Sequence, residues 1–351
     1  MNNFFVRFSN ECDREEIMGT ILARDGKVVY SSPVLPIIEA TMDEDIIYTL
    51  KESFLIDYIT EKPIGSIAEF SGELTGIRNR LRIIPGLDLQ KLRNSNFTGW
   101  GTTVAVLDSG VSASWVSEHH DYTGYGSNPS IDHGTKVASL IKEASPGSKI
   151  VSHKVCHGPE VNLTCVLQAL DEAVKHADII NLSLGFDIKE CKKETPCALC
   201  ESVNFYAQNM KILFVTAAGN KWGEDSIQCP GKAQETITVS SVKAYTEEVA
   251  DYASKGIPGI MKPNILTSGS IYFNNNHDEG TSFSAPIISG VSAAIYDVLN
   301  RDITNIKSIL YTTAKDLGLP KHYQGFGLLD LDKLLEVVIN DQGNSQSEGQ
   351  I

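Results

Sequence analysis

The chain has 351 residues, with 30 Lys plus Arg against 44 Asp plus Glu, and a formal net charge of −14. That excess of carboxylates excludes a nucleic-acid backbone as the main partner and argues against a docked anionic membrane surface, since both need a basic footprint. A hydrophobic share of 42% excludes a disordered chain, and the length predicts two domains.

No run of about 18 apolar residues occurs, so no transmembrane helix is expected. The opening MNNFFVRFSN has no basic segment followed by an apolar one. No secretory signal is therefore expected, and a cytoplasmic location is the default, with export by another route left open. Seven cysteines form an odd set, and a reducing compartment would leave them as thiols or metal ligands.

Residues 1–62 read as a small α+β unit. Phe4–Phe8 is a short apolar strand, and Asp13–Ala23 is a helix with Ile17, Ile21 and Leu22 on one face. Asp25-Gly26 marks a turn before a strand at Lys27–Tyr30. Ile37–Ala40 is the next strand, Met42–Lys51 a helix capped by Thr41, and Phe54–Ile59 the last strand. The order β-α-β-β-α-β is a split βαβ, ferredoxin-like arrangement. From 63 to 86, glycines 65, 72, 76 and 86 interrupt mixed charges, which predicts a linker.

Residues 87–340 alternate buried strands with helices. Thr103–Leu107, Ile150–Val155, Ile179–Leu184 and Ile212–Ala217 are near-continuous apolar runs, as parallel strands covered on both faces require. Gly134–Glu143, Leu163–His176 and Ala198–Asn209 are helical patterns between them. The expectation is a doubly wound, mostly parallel α/β domain. The polar tail DQGNSQSEGQI, 341–351, is expected to be disordered.

Three segments carry candidate chemistry. VAVLDSGV ends a strand at Asp108, DHGTKVASLI opens a helix at His133, and DEGTSFSAPIISG opens another at Ser282. A serine nucleophile needs a base within hydrogen-bond reach, and that base needs a carboxylate to hold its tautomer. Strand ends and helix starts converge on one crevice in an open α/β sheet, so the three side chains can meet. FVTAAGN ends a strand at the tight Gly219-Asn220 turn, where an amide side chain can join the Ser282 N–H in binding an oxyanion. Taken singly, each has a plainer reading: Asp108 as a turn residue, His133 as structural, Ser282 as a helix cap, Asn220 as a turn.

DSG, HGTKVA, AAGN and GTSFSAP in that order resemble the subtilisin family of serine proteases, and INLSLG, CPGKAQETITV and YQGFGLLDLDKLL extend the likeness from about Leu87 to Val338. The N-terminal unit resembles the family's propeptide, a folding chaperone and inhibitor. The resemblance implies a subtilisin-like fold and a serine endopeptidase made as a self-processing zymogen, with a processing site in the linker. Ser282 would be the nucleophile, His133 the base and Asp108 its orienting carboxylate. Asn220 and the Ser282 N–H would form the oxyanion hole. Ser183, Leu184 and Gly185 would pair with an extended peptide substrate, with Gly219 and Gln228 also at the substrate site. No cofactor is expected for the chemistry.

Two departures stand out. SLIKEASPGSK leaves no room for the calcium loop that many members insert in the HGT helix, so that site is expected to be absent. Lys221 after Asn220 could favour an acidic or amide side chain before the scissile bond, and Glu224 and Asp225 could reverse that. Cys191, Cys197, Cys200 and Cys229 suggest a structural tetrahedral zinc site, with free thiols or disulfides as the alternative. Cys12, Cys156 and Cys165 read as buried small residues, and His119-His120-Asp121 as an exposed loop. The missing secretion signal suggests narrow specificity, such as maturing a precursor peptide. The rival reading is a latent or non-catalytic peptide-binding protein with its propeptide kept docked.

Overall fold

The computed structural model describes residues 1–53, 55–67, 70–72, 82–83, 87–274 and 276–348. The N-terminal unit runs β1 (Asn2–Phe8), α1 (Arg14–Leu22), β2 (Lys27–Ser31), β3 (Ile37–Met42), α2 (Glu44–Lys51) and β4 (Ile56–Glu61). The sheet is antiparallel in the order β2-β3-β1-β4. Thr41 lies inside β3, and the cap of α2 is Asp43, whose carboxylate accepts the Ile46 N–H at 3.0 Å. Leu22, expected on the buried face of α1, is exposed, because the helix turns only Ile17 and Ile21 inward. Phe54 lies outside the described residues.

Strand alternation gives this small sheet two buried faces. Val6, Phe8, Ile38, Ala40 and Met42 pack on Ile17, Ile21, Ile46 and Leu50 of the unit's own helices. Phe5 and Ile37, one residue out of phase, join a cluster that belongs to the larger domain. Glu39 shares that second face and is fully buried.

The segment expected as a linker contains three short strands, β5 (Ile64–Ser66), β6 (Phe70–Gly72) and β7 (Arg82–Ile83). Each finds an edge to pair with in the larger domain, which a composition-based reading of glycines cannot see. The remaining positions between them, including much of the expected processing region, lie outside the described residues.

The larger domain continues with α3 (Gln90–Asn94), β8 (Thr103–Asp108), β9 (Glu118–Asp121), α4 (His133–Ala144), β10 (Lys149–Lys154), β11 (Glu160–Asn162), α5 (Leu163–Ala173), β12 (Ile179–Leu182) and β13 (Gly185–Phe186). Then come α6 (Ala198–Met210), β14 (Leu213–Ala217), β15 (Ile237–Val242), β16 (Ile265–Ser268), β17 (Ser270–Phe273), β18 (Asn276–Glu279) and α7 (Thr281–Tyr296). The chain closes with α8 (Ile303–Thr313), α9 (Lys321–Gln324) and α10 (Leu331–Glu348).

Seven strands form an all-parallel sheet in the order β16-β15-β14-β12-β8-β10-β9. Helices α4, α7, α8 and α10 cover one face, and α5 and α6 the other. β10 and β12 lie on opposite sides of β8, so the crevice opens at the carboxyl ends of β8 and β12. Every residue of α7 is buried.

Three smaller expectations are corrected. The tail expected to be disordered extends α10 to Glu348, since a helix nucleated by packed Leu334, Leu335 and Val338 propagates at one hydrogen bond per residue. Cys12 is exposed, while Cys156 and Cys165 are buried. His119 and His120 belong to the edge strand β9, and the His120 ring stacks on His153 at 4.8 Å.

Candidate active site

Asp108 ends β8 and is fully buried. Its Oδ1 accepts the Ser109 N–H at 2.7 Å and sits 2.8 Å from His133 Nδ1. His133 is the first residue of α4, and Gly134 follows it for a steric reason. A Cβ there would fall 2.3 Å from the Gly110 carbonyl oxygen and 3.0 Å from Asp108 Oδ1, so only glycine lets the helix start lie against the strand end. The bond to Asp108 assigns the proton to Nδ1 and leaves Nε2 as an acceptor. The buried His133 Nε2 finds no hydrogen-bond partner among the described residues, and its ring packs at 5.5 Å from the Phe283 ring.

Ser282 is the second residue of α7 and is 2% exposed. Its Oγ donates to the Ser183 carbonyl at 3.0 Å rather than to His133. Pro286, four residues on, has no N–H to give the Ser282 carbonyl. That carbonyl instead accepts the Ser183 hydroxyl at 2.8 Å. The proline therefore frees the one helix acceptor that ties the end of β12 to the start of α7.

Asn220 is anchored by its oxygen end. Oδ1 accepts the Thr281 N–H at 3.0 Å and the Thr281 hydroxyl at 2.9 Å, and Thr281 Oγ1 accepts the Gly219 N–H at 3.1 Å. Gly219 has φ +108°, a left-handed conformation, and a Cβ there would meet Gln228 Oε1 at 2.6 Å. Gln228 is buried with its side chain packed against both Gly185 and Gly219, between the two strand ends. Its N–H bonds the Ala218 carbonyl at 2.9 Å. Helix α4 runs from His133 to Ala144 without interruption.

A strand from the N-terminal part of the same chain pairs beside the site. Strand β5 lies antiparallel between β11 and β13, with Gly65 opposite Phe186 and Ser66 opposite Gly185. The Ile67 N–H donates to the Pro159 carbonyl at 2.9 Å. Strand β6 pairs with β18, Phe70 opposite Glu279, just before Gly280-Thr281-Ser282. β5 thus lies on the Ser183 side of Ser282, and β6 beside the strand that leads into it.

Sequence reading missed several of these partners. Lys136, quoted only as part of HGTKVA, is buried with its ammonium 3.0 Å from both Asp132 and Asp278, linking α4 to β18. Only the i,i+4 partner Asp132 was visible in the spacing. Glu39 meets Lys62 at 2.8 Å, Lys62 bonds the Thr164 hydroxyl at 2.6 Å, and Thr164 also bonds Glu39. Arg7 grips Glu201 through Nε at 3.0 Å and Nη2 at 2.8 Å. Tyr30 and Tyr206 both donate to Asp171, whose pKa burial raises. Lys221 is exposed, and Glu224 bonds Tyr323.

The four cysteines singled out from spacing converge on one point. The sulfurs of Cys191, Cys197, Cys200 and Cys229 lie within 4.8 Å of one another. Hydrogen bonding from Cys197 and Cys200 pulls the Cys191 thiol down, and hydrogen bonding to Cys191 pushes those of Cys200 and Cys229 up.

The model of the subtilase family matches residues 99–327. Subtilisin E of Bacillus subtilis is 26% identical over 347 residues, covering 89% of this chain and 84% of the relative. Subtilisin of Bacillus pumilus is 27% identical over 275 residues, covering 68% and 93%. The crystal structure of the epidermin leader peptide processing serine protease of Staphylococcus aureus shares the fold, with a TM-score of 0.74 at 18% identity over 96% of this chain and 99% of that one. The family match spans both the strand that ends at Asp108 and the helix that begins beside Ser282, and on it the chain belongs to the subtilase family and is a serine endopeptidase of the subtilisin type.

Proposed function

We propose that Ser282 is the nucleophile of this endopeptidase, His133 its general base and then acid, and Asp108 the carboxylate that holds the imidazole. The observation that carries this reading is the buried Asp108–His133 bond of 2.8 Å, with the opposite ring nitrogen left as an acceptor. In this reading Ser282 Oγ leaves the Ser183 carbonyl and turns toward His133 Nε2. The proton then passes to Nε2 as Oγ attacks the peptide carbonyl, and Asp108 stabilises the imidazolium. The oxyanion is received by the Ser282 N–H and the amide end of Asn220, which Thr281 orients from the other side. The acyl-enzyme is released by water. No step needs a cofactor.

The N-terminal unit acts in this reading as a propeptide inhibitor, and the enzyme cuts its own connection. The strand β5 supports this, because it pairs as a substrate backbone would. Continuing the β5–β13 register in a bound peptide brings the second residue beyond the Ser66 position opposite Ser183, whose carbonyl lies 3.0 Å from Ser282 Oγ. Self-cleavage is therefore expected between residues 67 and 70.

Phe186 supports the reading of narrow specificity for a precursor peptide. A Cβ on Gly65 would come within 2.5 Å of its ring, so the groove favours glycine or a very small residue at that position. The processing of a leader peptide by the Staphylococcus aureus protease of the same fold is consistent with such a substrate class. One observation favours the rival reading of a latent peptide-binding protein: Ser282 Oγ rests on Ser183 rather than on His133. A serine-reactive fluorophosphonate probe on wild type and Ser282→Ala, followed by intact mass, separates the two. Labelled wild type lacking residues 1 to about 68 is the expected result. Unlabelled, full-length wild type would overturn the proposal and leave the latent binder.

A further inference from the structure

We propose that Cys191, Cys197, Cys200 and Cys229 bind one structural Zn²⁺ ion, which braces both the wall of the substrate groove and the platform under the N-terminal unit. A tetrahedral zinc with sulfurs at about 2.3 Å requires sulfur–sulfur separations of about 3.8 Å. All six separations lie within 4.8 Å, so the sulfurs need close by no more than about 1 Å to form that cage. All four cysteines are present as thiols, three of them buried. Two disulfides would need sulfurs about 2.05 Å apart in pairs.

The local backbone is prepared for anionic sulfur. Cys197 occupies the N-cap of α6 and Cys200 its first turn, where the helix dipole favours thiolate. The Cys197 N–H donates to Cys191 Sγ at 3.2 Å, a contact that orients a ligating sulfur. Four protein ligands close the coordination shell, so the ion would be structural and offer no position for chemistry. Cys197 is the one partly exposed ligand, and it lines the cleft between this loop and Tyr58 and Thr60 of β4.

The ligands come from three pieces of chain that the substrate groove needs held together. Cys229 exchanges both backbone hydrogen bonds with Phe186, each 2.9 Å, and follows Gln228 directly. Phe186 and Gln228 are the residues packed against Gly65 and against Gly185 and Gly219. Cys197 and Cys200 sit at the start of α6, whose Glu201 holds Arg7, and the Pro196 carbonyl accepts the Tyr58 hydroxyl at 3.5 Å. The bracing role rests on the groove reading given above, whereas the metal content does not.

The test uses the full-length Ser282→Ala chain, purified without added metal or chelator. Elemental analysis is expected to find stoichiometric zinc, and replacement by Co²⁺ to give the intense visible bands of a tetrahedral thiolate site. Titration with a mercurial in the presence of a zinc indicator should release the ion as four thiols react, without relying on any variant's folding. Cys191→Ser should retain zinc at least about tenfold more weakly, and Cys12→Ser should retain it fully. In active wild type, zinc release should raise KM for a peptide with glycine at the Gly65 position more than it lowers kcat. A metal-free chain with seven freely titrating thiols, a mass four hydrogens low from two disulfides, or iron in place of zinc would overturn the proposal. Stoichiometric zinc in a chain that never labels with fluorophosphonate would leave it standing and defeat the protease assignments instead.

Discussion

The N-terminal antiparallel sheet and the seven-stranded parallel sheet bury themselves in different ways. The seven-stranded parallel sheet carries its own helices on both faces, so its strands are apolar throughout. The small antiparallel sheet has helices on one face only, and its other face is completed by α5 and α6 of the larger domain. That borrowed face is mixed: Phe5 and Ile37 sit beside Arg7 and the buried Glu39. A core closed from within makes a lasting scaffold. A face closed partly by polar pairs on a neighbour makes a joint that, under the proposed processing, can open once the covalent link is cut.

The largest expected effect lies wholly in the larger domain. Asn220→Ala removes the proposed oxyanion donor and should lower kcat about 10²- to 10³-fold, the size known for such an amide in subtilisin, a relative of this chain. KM and the seating of the N-terminal unit should barely change, and steady-state kinetics on the mature enzyme reads both. Equal losses in kcat and folding stability would remove Asn220 from the chemistry.

The joint itself is tested by Lys62→Met. It leaves the fully buried Glu39 without its cation, a change that costs about 3–5 kcal/mol when one partner of a buried pair is removed. In the Ser282→Ala background, amide exchange of β1 to β4 should accelerate while β8, β12 and β14 stay protected. Uniform acceleration across both sheets would break the comparison.

Gly65→Val probes the connection between the two regions. The added side chain meets the Phe186 ring, so self-cleavage should slow by about tenfold or more, an overpacking cost of about 1–3 kcal/mol. Phe186→Ala should restore it. Failure of that rescue would mean that β5 is not read as substrate.

The smallest effect at neutral pH concerns the far edge of the large sheet. Burial pushes His153 down to about 3 from an ordinary 6.5, with His120 and His176 stacked beside it and Tyr122 bonded to Nδ1 at 3.0 Å. The unfolded chain takes up this proton below about pH 6.5 and the folded chain does not until about pH 3. Stability should therefore be unaffected above 6.5 and fall by about 1.4 kcal/mol per pH unit below it. Urea titrations of wild type and His153→Gln between pH 4 and 7 should show a shallower slope in the variant.

Much of the site was legible because its parts are local. Asp108 at a strand end, His133 and Ser282 at helix starts, and Asn220 in a Gly-Asn turn each sit in a short segment whose backbone conformation their neighbours dictate. Gly134 and Gly219 are required by contacts that a side chain would occupy. The β-α-β-β-α-β order was legible from apolar periodicity. The Thr41 cap failed because propensity does not distinguish a strand's last residues from a helix start, and the disordered tail failed because a packed helix propagates through polar sequence.

What the sequence determined by itself is the order of elements, the parallel sheet and the residue types at its carboxyl edge, since each follows from short-range pattern and strand-end geometry. Only the tertiary structure decided that 64–66 is a strand in the groove, that Phe186 faces Gly65, that Glu39 is buried against Lys62 and that four cysteines share one point. Those pairs lie 23 to 121 residues apart, apart from the Cys191–Cys200 loop, and connect edges, loops and a second domain. Edge pairing and domain docking depend on which surfaces remain uncovered after both sheets have formed, and one-dimensional periodicity carries no record of that.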